Sequence, residues 1–457
     1  MSFDWPIVKL GDYCSKIGSG ATPKGGNSVY LDRGEISLIR SQNIYNEGFK
    51  SDGLVYITPE AAQKLKNVII EPNDVLINIT GDSVARVCLA PNEFLPARVN
   101  QHVAILRVDP EEFDHRYLRY FLTSTKMQNY LLTIASTGGT RNALTKLMLE
   151  SLEVLKPPLN VQKRIGNVLG NFESKIKLDS RTSQTLEQMA QAIFKSWFVD
   201  FDPVKARMNG KQPEGMDAPT ASLFPEKLVD TEVGVLPEGW RLVAVGELLD
   251  KTIGGDWGKE EPDDKHTEEV RIVRGTDIPK LHGGAIESVP VRYVESKKLK
   301  TRKLERGDIV IEVSGGSKDQ PTGRSLFISD NILKRLELPS EPASFCRRFK
   351  PKSYEIGLLL AVHFQLMYQA GKTWEYQNQS TGISNFQTKY FLEAEHIVIP
   401  SDDVLDAFVK QVSPMMDMIH SNQNIELAKL RDTLLPKLLS GEIDLGETNP
   451  ESIKEDV

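Results

Sequence analysis

The stretch EPNDVLINITGDS, residues 71–83, returns later in the chain as ERGDIVIEVSGGS, residues 305–317. Each copy opens on a polar turn, runs through β-branched and leucine side chains, and closes on a glycine-containing turn, the pattern of a strand between two loops. The match extends in both directions. Upstream, Trp5-Pro-Ile-Val-Lys-Leu-Gly11 is answered by Trp240-Arg-Leu-Val-Ala-Val-Gly246, and SLIRSQNI (37–44) by VRIVRGTDI (270–278), with Arg40 over Arg274. Downstream, STGGTRNALTKLMLESLEVLKPP (136–158) is answered by STGISNFQTKYFLEAEHIVIPS (380–401), with Thr145 over Thr388. Order is kept throughout, and the later blocks are spaced further apart because the second copy carries extra residues between them, as loops tolerate. A period this long is a duplicated domain rather than a solenoid repeat.

Within each copy the strand-like runs come first. A Tyr- and Leu-rich stretch with helical spacing follows, FDHRYLRYFLTSTKMQNYLLTIA in one copy and EIGLLLAVHFQLMYQA in the other. Each copy then ends in a long helical segment. In the first, apolar positions recur as Ile165, Leu169, Phe172, Ile176, Leu186, Ile193 and Trp197, with Asp179 and Ser183 in the middle. In the second, Phe408, Val412, Met415 and Ile419 run into Asn422 and resume at Leu427, Leu430 and Leu434. Both are seams that must be buried, and each supplies the other with a partner. The expected fold is α+β: two pseudo-repeated globular domains separated by a long antiparallel coiled-coil pair, each helix roughly 57 Å long at 1.5 Å per residue. The boundaries read as domain one at 1–157, a central helix at 158–202, a connector at 203–238, domain two at 239–400, a second helix at 401–441 and an acidic tail at 442–457. The connector is rich in Pro and Gly, lacks periodicity, and reads as a surface segment.

Composition narrows the function. Hydrophobic residues at 40% and charged residues at 26% describe a folded chain rather than a disordered one. The opening MSFDWPIVKL has no basic and apolar leader, and no uncharged apolar run could span a bilayer, so a cytoplasmic protein is expected. Cys14, Cys88 and Cys346 are far apart, which predicts buried reduced thiols rather than a disulfide framework or metal knuckle. The seven histidines are scattered, and HExxH is absent. Neither NPPY nor DPPY occurs, KPPL (156–159) lacking the polar leader and the aromatic. GATPKGG (20–26) lacks the Lys-Ser/Thr that a phosphate loop needs, and SGGS (314–317) is not a nucleophile elbow. These absences argue against a methyltransferase or nuclease in its own right. The net charge of -7 is unexpected for a protein that would neutralise phosphates alone.

IFKSWFVDFDPVKARMNG (193–210), followed by LFPEKL and GVLPEGW (223–240), resembles the central region of Type I restriction-modification specificity subunits. LLPKLLSGEIDL (434–445) is similar to the closing helix of that family, whose layout of recognition domain, helix, recognition domain, helix covers the whole chain. The resemblance implies that each globular domain is a target-recognition domain reading one half of a split, asymmetric site in double-stranded DNA. It implies that the helices dock two DNA adenine methyltransferase (modification) subunits, which restriction and translocase subunits join. This chain would carry no chemistry and no cofactor, with S-adenosylmethionine, ATP and Mg on the partners.

Base readout needs side chains with paired donors and acceptors on loops aimed into the major groove. In the first copy these are Lys24, Arg40, Gln42, Asn43, Arg141 and Asn142. In the second they are Lys259, Arg274, Thr276, Asp277, Lys318, Gln320, Arg324 and Asn385. Arg40 and Arg274 share a repeat position, for which a structural arginine satisfying carbonyls at a strand end is the plainer role, whereas true readers of different half-sites should differ between copies. Tyr30, Trp257 and Tyr390 are aromatics at similar places, with packing as the plainer role. Two readers on one face of a duplex would sit about 10 base pairs apart, one helical turn. The competing reading, motivated by the acidic total, is a two-domain protein-interaction scaffold without DNA specificity.

Overall fold

The computed structural model describes residues 5–23, 25–137, 142–317, 319–380, 383–443 and 445. The chain divides into two compact units, one of residues 1–175 with 426–457 and the other of residues 176–425.

In the first unit, the run VLIN is the strand Val75–Asn78 inside a four-stranded antiparallel sheet ordered Cys14–Ser19, Val103–Val108, Val75–Asn78, Val87–Leu89. Its side chains alternate between two cores. Val75 and Ile77 pack with Leu106 against Tyr117, Leu118 and Leu122 of the helix His115–Thr123, and Leu76 joins Val103 and Ile105 in a second cluster with Leu38 and Ile39. Burial on both faces is why the run is apolar without alternation. A three-stranded sheet covers that second face, with Ile36–Ile39 paired antiparallel to Val55–Ile57 and parallel to Ala97–Val99. Ile7–Lys9 pairs with Glu153–Leu155, tying the start of the unit to its end.

The second unit repeats this topology. Its four-stranded sheet runs Leu249–Gly254, Cys346–Pro351, Ile309–Glu312, Ser325–Phe327. Its three-stranded sheet places His266–Val273 antiparallel to Val291–Glu295 and parallel to Ser340–Pro342, and Arg241–Ala244 closes on His396–Ile399. Ile309 and Ile311 face one core and Val310 the other. The duplication read from sequence is therefore a duplication of strand order and strand direction. Cys88 and Cys346 are buried and Cys14 half-buried, all as free thiols whose burial pushes each up to about 12.

The helix Leu159–Phe198 is a single 40-residue element. In the first unit its Ile165 and Leu169 are buried with Leu438 and Leu439, and Leu434 packs against the same cluster. In the second unit its Ala190, Phe194, Trp197 and Phe198 are buried with Val404, Leu405, Phe408 and Val412. The start of the long helix thus meets the end of the C-terminal segment and its end meets that segment's start, an antiparallel pairing. The polar stretch in the middle is met by polar groups: Asn422 Nδ2 donates to Ser183 Oγ at 3.3 Å and Asn424 Nδ2 to Ser180 Oγ at 2.8 Å.

Two features differ from the sequence expectation. The C-terminal segment is not one helix through 441 but two, Asp402–His420 and Asn424–Leu439. Ser421, Asn422, Gln423 and Asn424 are polar side chains that compete with helical hydrogen bonding, and Asn422 Oδ1 accepts the Asn424 N–H at 2.7 Å. Beyond this break Leu430 is 48% exposed, while Leu427 is half-buried. Of the other seam positions, Phe408, Val412 and Ile419 are buried, and Phe172, Ile176, Leu186, Ile193 and Met415 are half-buried. Nor is 203–238 only a surface connector. It forms the helices Asp202–Met208 and Ala218–Ser222 and the hairpin Leu228–Thr231/Gly234–Pro237, and it sends Val204, Phe224 and Leu236 into the second unit's core. Among the described residues no helix is long and apolar enough to cross a membrane.

Candidate nucleic-acid interface

In each unit, loops from several strands converge on one tight turn at the end of the four-stranded sheet. In the first unit that turn is Asn100-Gln101-His102. Asn100 N–H donates to Ile39 O at 3.2 Å, Ile79 N–H to His102 O at 2.9 Å, Gly20 N–H to Asn100 O at 3.1 Å, and Leu144 N–H to Ile79 O at 2.8 Å. In the second unit it is Ala343-Ser344-Phe345. Ala343 N–H donates to Val273 O at 2.8 Å, Val313 N–H to Phe345 O at 2.9 Å, Gly255 N–H to Cys346 O at 3.1 Å, and Phe386 N–H to Val313 O at 2.9 Å. Backbone bonds of this kind fix the loops independently of their side chains, which leaves the side chains free to vary.

The sequence-predicted residues separate into two groups on this frame. Four belong to it rather than projecting from it. Asn43 is fully buried, its amide donating to Lys50 O at 2.9 Å and Asp52 O at 3.1 Å while its Oδ1 accepts the Arg40 N–H at 3.1 Å. Asp277 is likewise fully buried and accepts the Arg274 N–H at 3.1 Å. Arg274 clasps that carboxylate through Nε and Nη2, both at 2.8 Å, which raises the guanidinium's affinity for its proton. Arg324 makes a two-point pair with buried Glu312, at 2.8 and 2.5 Å. These are corrections to the sequence reading: polar residues at turns served the turns.

Most of the remaining described residues are exposed, with Arg40 half-buried. Gln42 is exposed, with its amide 3.2 Å from Gly53 O, and Arg40 donates to the same carbonyl at 2.6 Å while lying 5.3 Å from the Tyr30 ring centroid. Asn142, Thr276, Gln320 and Asn385 are exposed. Asn142 and Asn385 stand close to the converging strands, Gly81 N–H donating to Asn142 O at 3.3 Å and Asn385 pairing with Ser314. Lys259 is exposed but held by Asp263 at 2.6 Å, a contact that pulls the aspartate well below the usual carboxylate range. Trp257 carries Arg292 over its ring at 5.2 Å, and Tyr390 lies tilted against Tyr376 with ring centroids 5.8 Å apart. Lys24, Arg141 and Lys318 lie outside the described residues.

Sequence reasoning missed the central turn itself. In the first unit Gln101 is exposed, its Nε2 2.8 Å from His102 Nε2, and His102 Nδ1 is 2.5 Å from Thr80 Oγ1. The equivalent side chain in the second unit is Phe345, 66% exposed. The available signal was the strand that follows, since VAILRV and CRRFKP align in the repeat and locate the turn before them. A cavity of about 900 Å³ in the first unit lies elsewhere, beside Tyr120, Tyr130 and Leu435. Among the described residues no three His, Cys, Asp or Glu side chains are grouped to hold a metal ion.

Residues 3–188 match the family described as the Type I restriction modification DNA specificity domain. Similarity to relatives extends over nearly the whole chain. The Type I restriction enzyme MjaIX specificity subunit of Methanocaldococcus jannaschii is 26% identical over 97% of this chain and 94% of its own length. The chain is similar to Type I restriction-modification specificity subunits. A second relative, the HindI specificity subunit of Haemophilus influenzae, is 24% identical over 96% of this chain and 100% of its own length. The crystal structure of a specificity subunit from M. genitalium shares the fold, with a TM-score of 0.60, 14% identity, and coverage of 95% of this chain and 96% of that one. The likeness extends over nearly the full length of both chains and is one of fold.

Proposed function

We propose that this chain supplies DNA sequence specificity to a Type I restriction-modification complex, each unit reading one half of a bipartite asymmetric site with the loops that converge on its central turn. The observation that carries this reading is a frame built twice and decorated differently: the same backbone bonds hold both turns, while Gln42, Gln101 and Asn142 project in one unit and Thr276, Phe345 and Gln320 in the other. Two readers with one scaffold and unlike exposed side chains are what an asymmetric split site requires, each good base contact contributing about 1–3 kcal/mol of discrimination.

The helices hold two DNA adenine methyltransferase subunits, and restriction subunits join that core. Methyl transfer and ATP use, with S-adenosylmethionine and Mg, reside on those partners. The net charge of -7 fits this division, because partner proteins then supply much of the phosphate neutralisation. Exchanging residues 1–157 for the matching part of a relative tests the reading: one half of the methylated sequence should change and the other stay. A change in both halves, or in neither, contradicts it.

A further inference from the structure

The turn Ala343–Phe345 combines a fixed backbone with a bare aromatic side chain. Phe345 O accepts from the N–H groups of both Val313 (2.9 Å) and Ser314 (3.3 Å), and Cys346 N–H closes the turn on Ala343 O at 2.8 Å. Gly255 crosses so closely that a Cβ there would lie 2.1 Å from Ala343 O. Cys346, next in the chain, is fully buried, yet Phe345 is 66% exposed. An exposed phenylalanine forgoes the stabilisation that burial of its ring would bring, and the turn's backbone bonds hold its Cα in place at the surface.

Its surroundings locate it among the residues already placed at the interface. Ser314 pairs with Asn385 across the adjacent strands, and Ala343 N–H reaches Val273, which ends the strand that leads to the exposed Thr276. At the same repeat position the first unit carries His102, with the polar Gln101 before it. The two copies thus keep the turn and exchange polar chemistry for apolar chemistry, as readers of unlike half-sites should.

We propose that Phe345 is a specificity-determining residue that reads a thymine in the half-site of the second unit through its C5-methyl group. A phenyl ring has no donor or acceptor, and the methyl of thymine is the one apolar group that unmodified base pairs present in the major groove. The inference rests on the reading of these loop ends as DNA readers and names the chemistry that one of them recognises.

The test uses the complex with its methyltransferase subunits, after the site has been read from the methylation pattern. Each thymine of the second unit's half-site is replaced in turn by uracil, which removes only the methyl, and binding is compared for the native, Phe345→Ala and Phe345→Leu complexes. The native complex should lose about five-fold or more at one thymine. Phe345→Ala should bind the thymine duplex more weakly and not distinguish it from uracil. Phe345→Leu should keep the preference within about two-fold, because it keeps apolar contact. A half-site without thymine, a uracil penalty that survives Phe345→Ala, or an equal weakening on all duplexes would overturn the proposal. If the native complex itself prefers no sequence, the broader reading of the loop ends has failed instead, and that result is judged without any variant.

Discussion

Gly20 and Gly255 stand at the same place in the two copies, each pressed against a carbonyl of the turn it crosses. A Cβ on Gly20 would lie 1.7 Å from Val99 O, and one on Gly255 would lie 2.1 Å from Ala343 O. Neither residue has a left-handed backbone here, so close approach rather than backbone freedom demands glycine. Gly11 and Gly246 form a second such pair, with Cβ approaches of 2.8 Å to Glu150 O and 2.9 Å to Leu392 O.

Gly20→Ala should therefore force the crossing loop away from its turn, at a cost of about 3 kcal/mol. In the assembled complex it should loosen discrimination at one half-site only, with Gly255→Ala affecting the other. Urea unfolding measures the first effect, and binding to half-site variants the second. Loss in both halves from either single change would contradict the separation of the two frames.

Helix seam positions should divide by burial rather than by heptad letter. Phe408 is fully buried, with ring centroids 5.0 Å from Phe198 and 6.2 Å from Phe194 and Trp197. Phe408→Ala should cost about 3–5 kcal/mol. Leu430, half-exposed beyond the helix break, should lose no more than about 0.5 kcal/mol on Leu430→Ala. Equal losses in urea unfolding would show that the break is not present in solution.

A buried histidine should make the second unit acid-sensitive. His420 is fully buried; burial, with a smaller contribution from His282 and Arg335, lowers it to about 3. Its ring lies 2.8 Å from Ser329 Oγ and 3.3 Å from His282, which in turn meets Glu187 at 2.6 Å. The unfolded chain takes up a proton near pH 6.5 that the folded chain resists, so stability should be full above that value and decline as pH falls toward 3. The slope per site approaches about 1.4 kcal/mol per pH unit. His420→Gln should flatten the pH dependence of unfolding by about that amount over pH 6 to 4. An unchanged slope would contradict it.

The repeat was legible because strands buried on both faces have to stay apolar in both copies, so VLIN and IVIE kept their signature while the loops diverged. The long helix was legible for the same reason, through Ile165, Leu169 and Trp197. The break at Asn422 was visible only as a polar interruption, which a heptad reading absorbs as one polar seam position. Phe194 and Phe198 were missed because the wide apolar face at the end of the helix, packed against Phe408 and Trp240, is broader than a two-position seam. At the loops, residue type could not separate readers from scaffold. Asn43 and Gln42 are neighbours of similar chemistry, and only the fold shows that the amide of buried Asn43 is held by Lys50 O and Asp52 O while the exposed Gln42 reaches Gly53 O alone. The central turn escaped notice because its importance lies in backbone contacts from distant strands.

The most direct measurement is single-molecule sequencing of adenine methylation in cells that carry this chain with its modification partner, compared with cells lacking it. The account predicts methylation at one bipartite, asymmetric motif, with two short specified halves and an unread spacer between them. A single uninterrupted motif, a palindromic one, or a pattern that does not depend on this chain would contradict it.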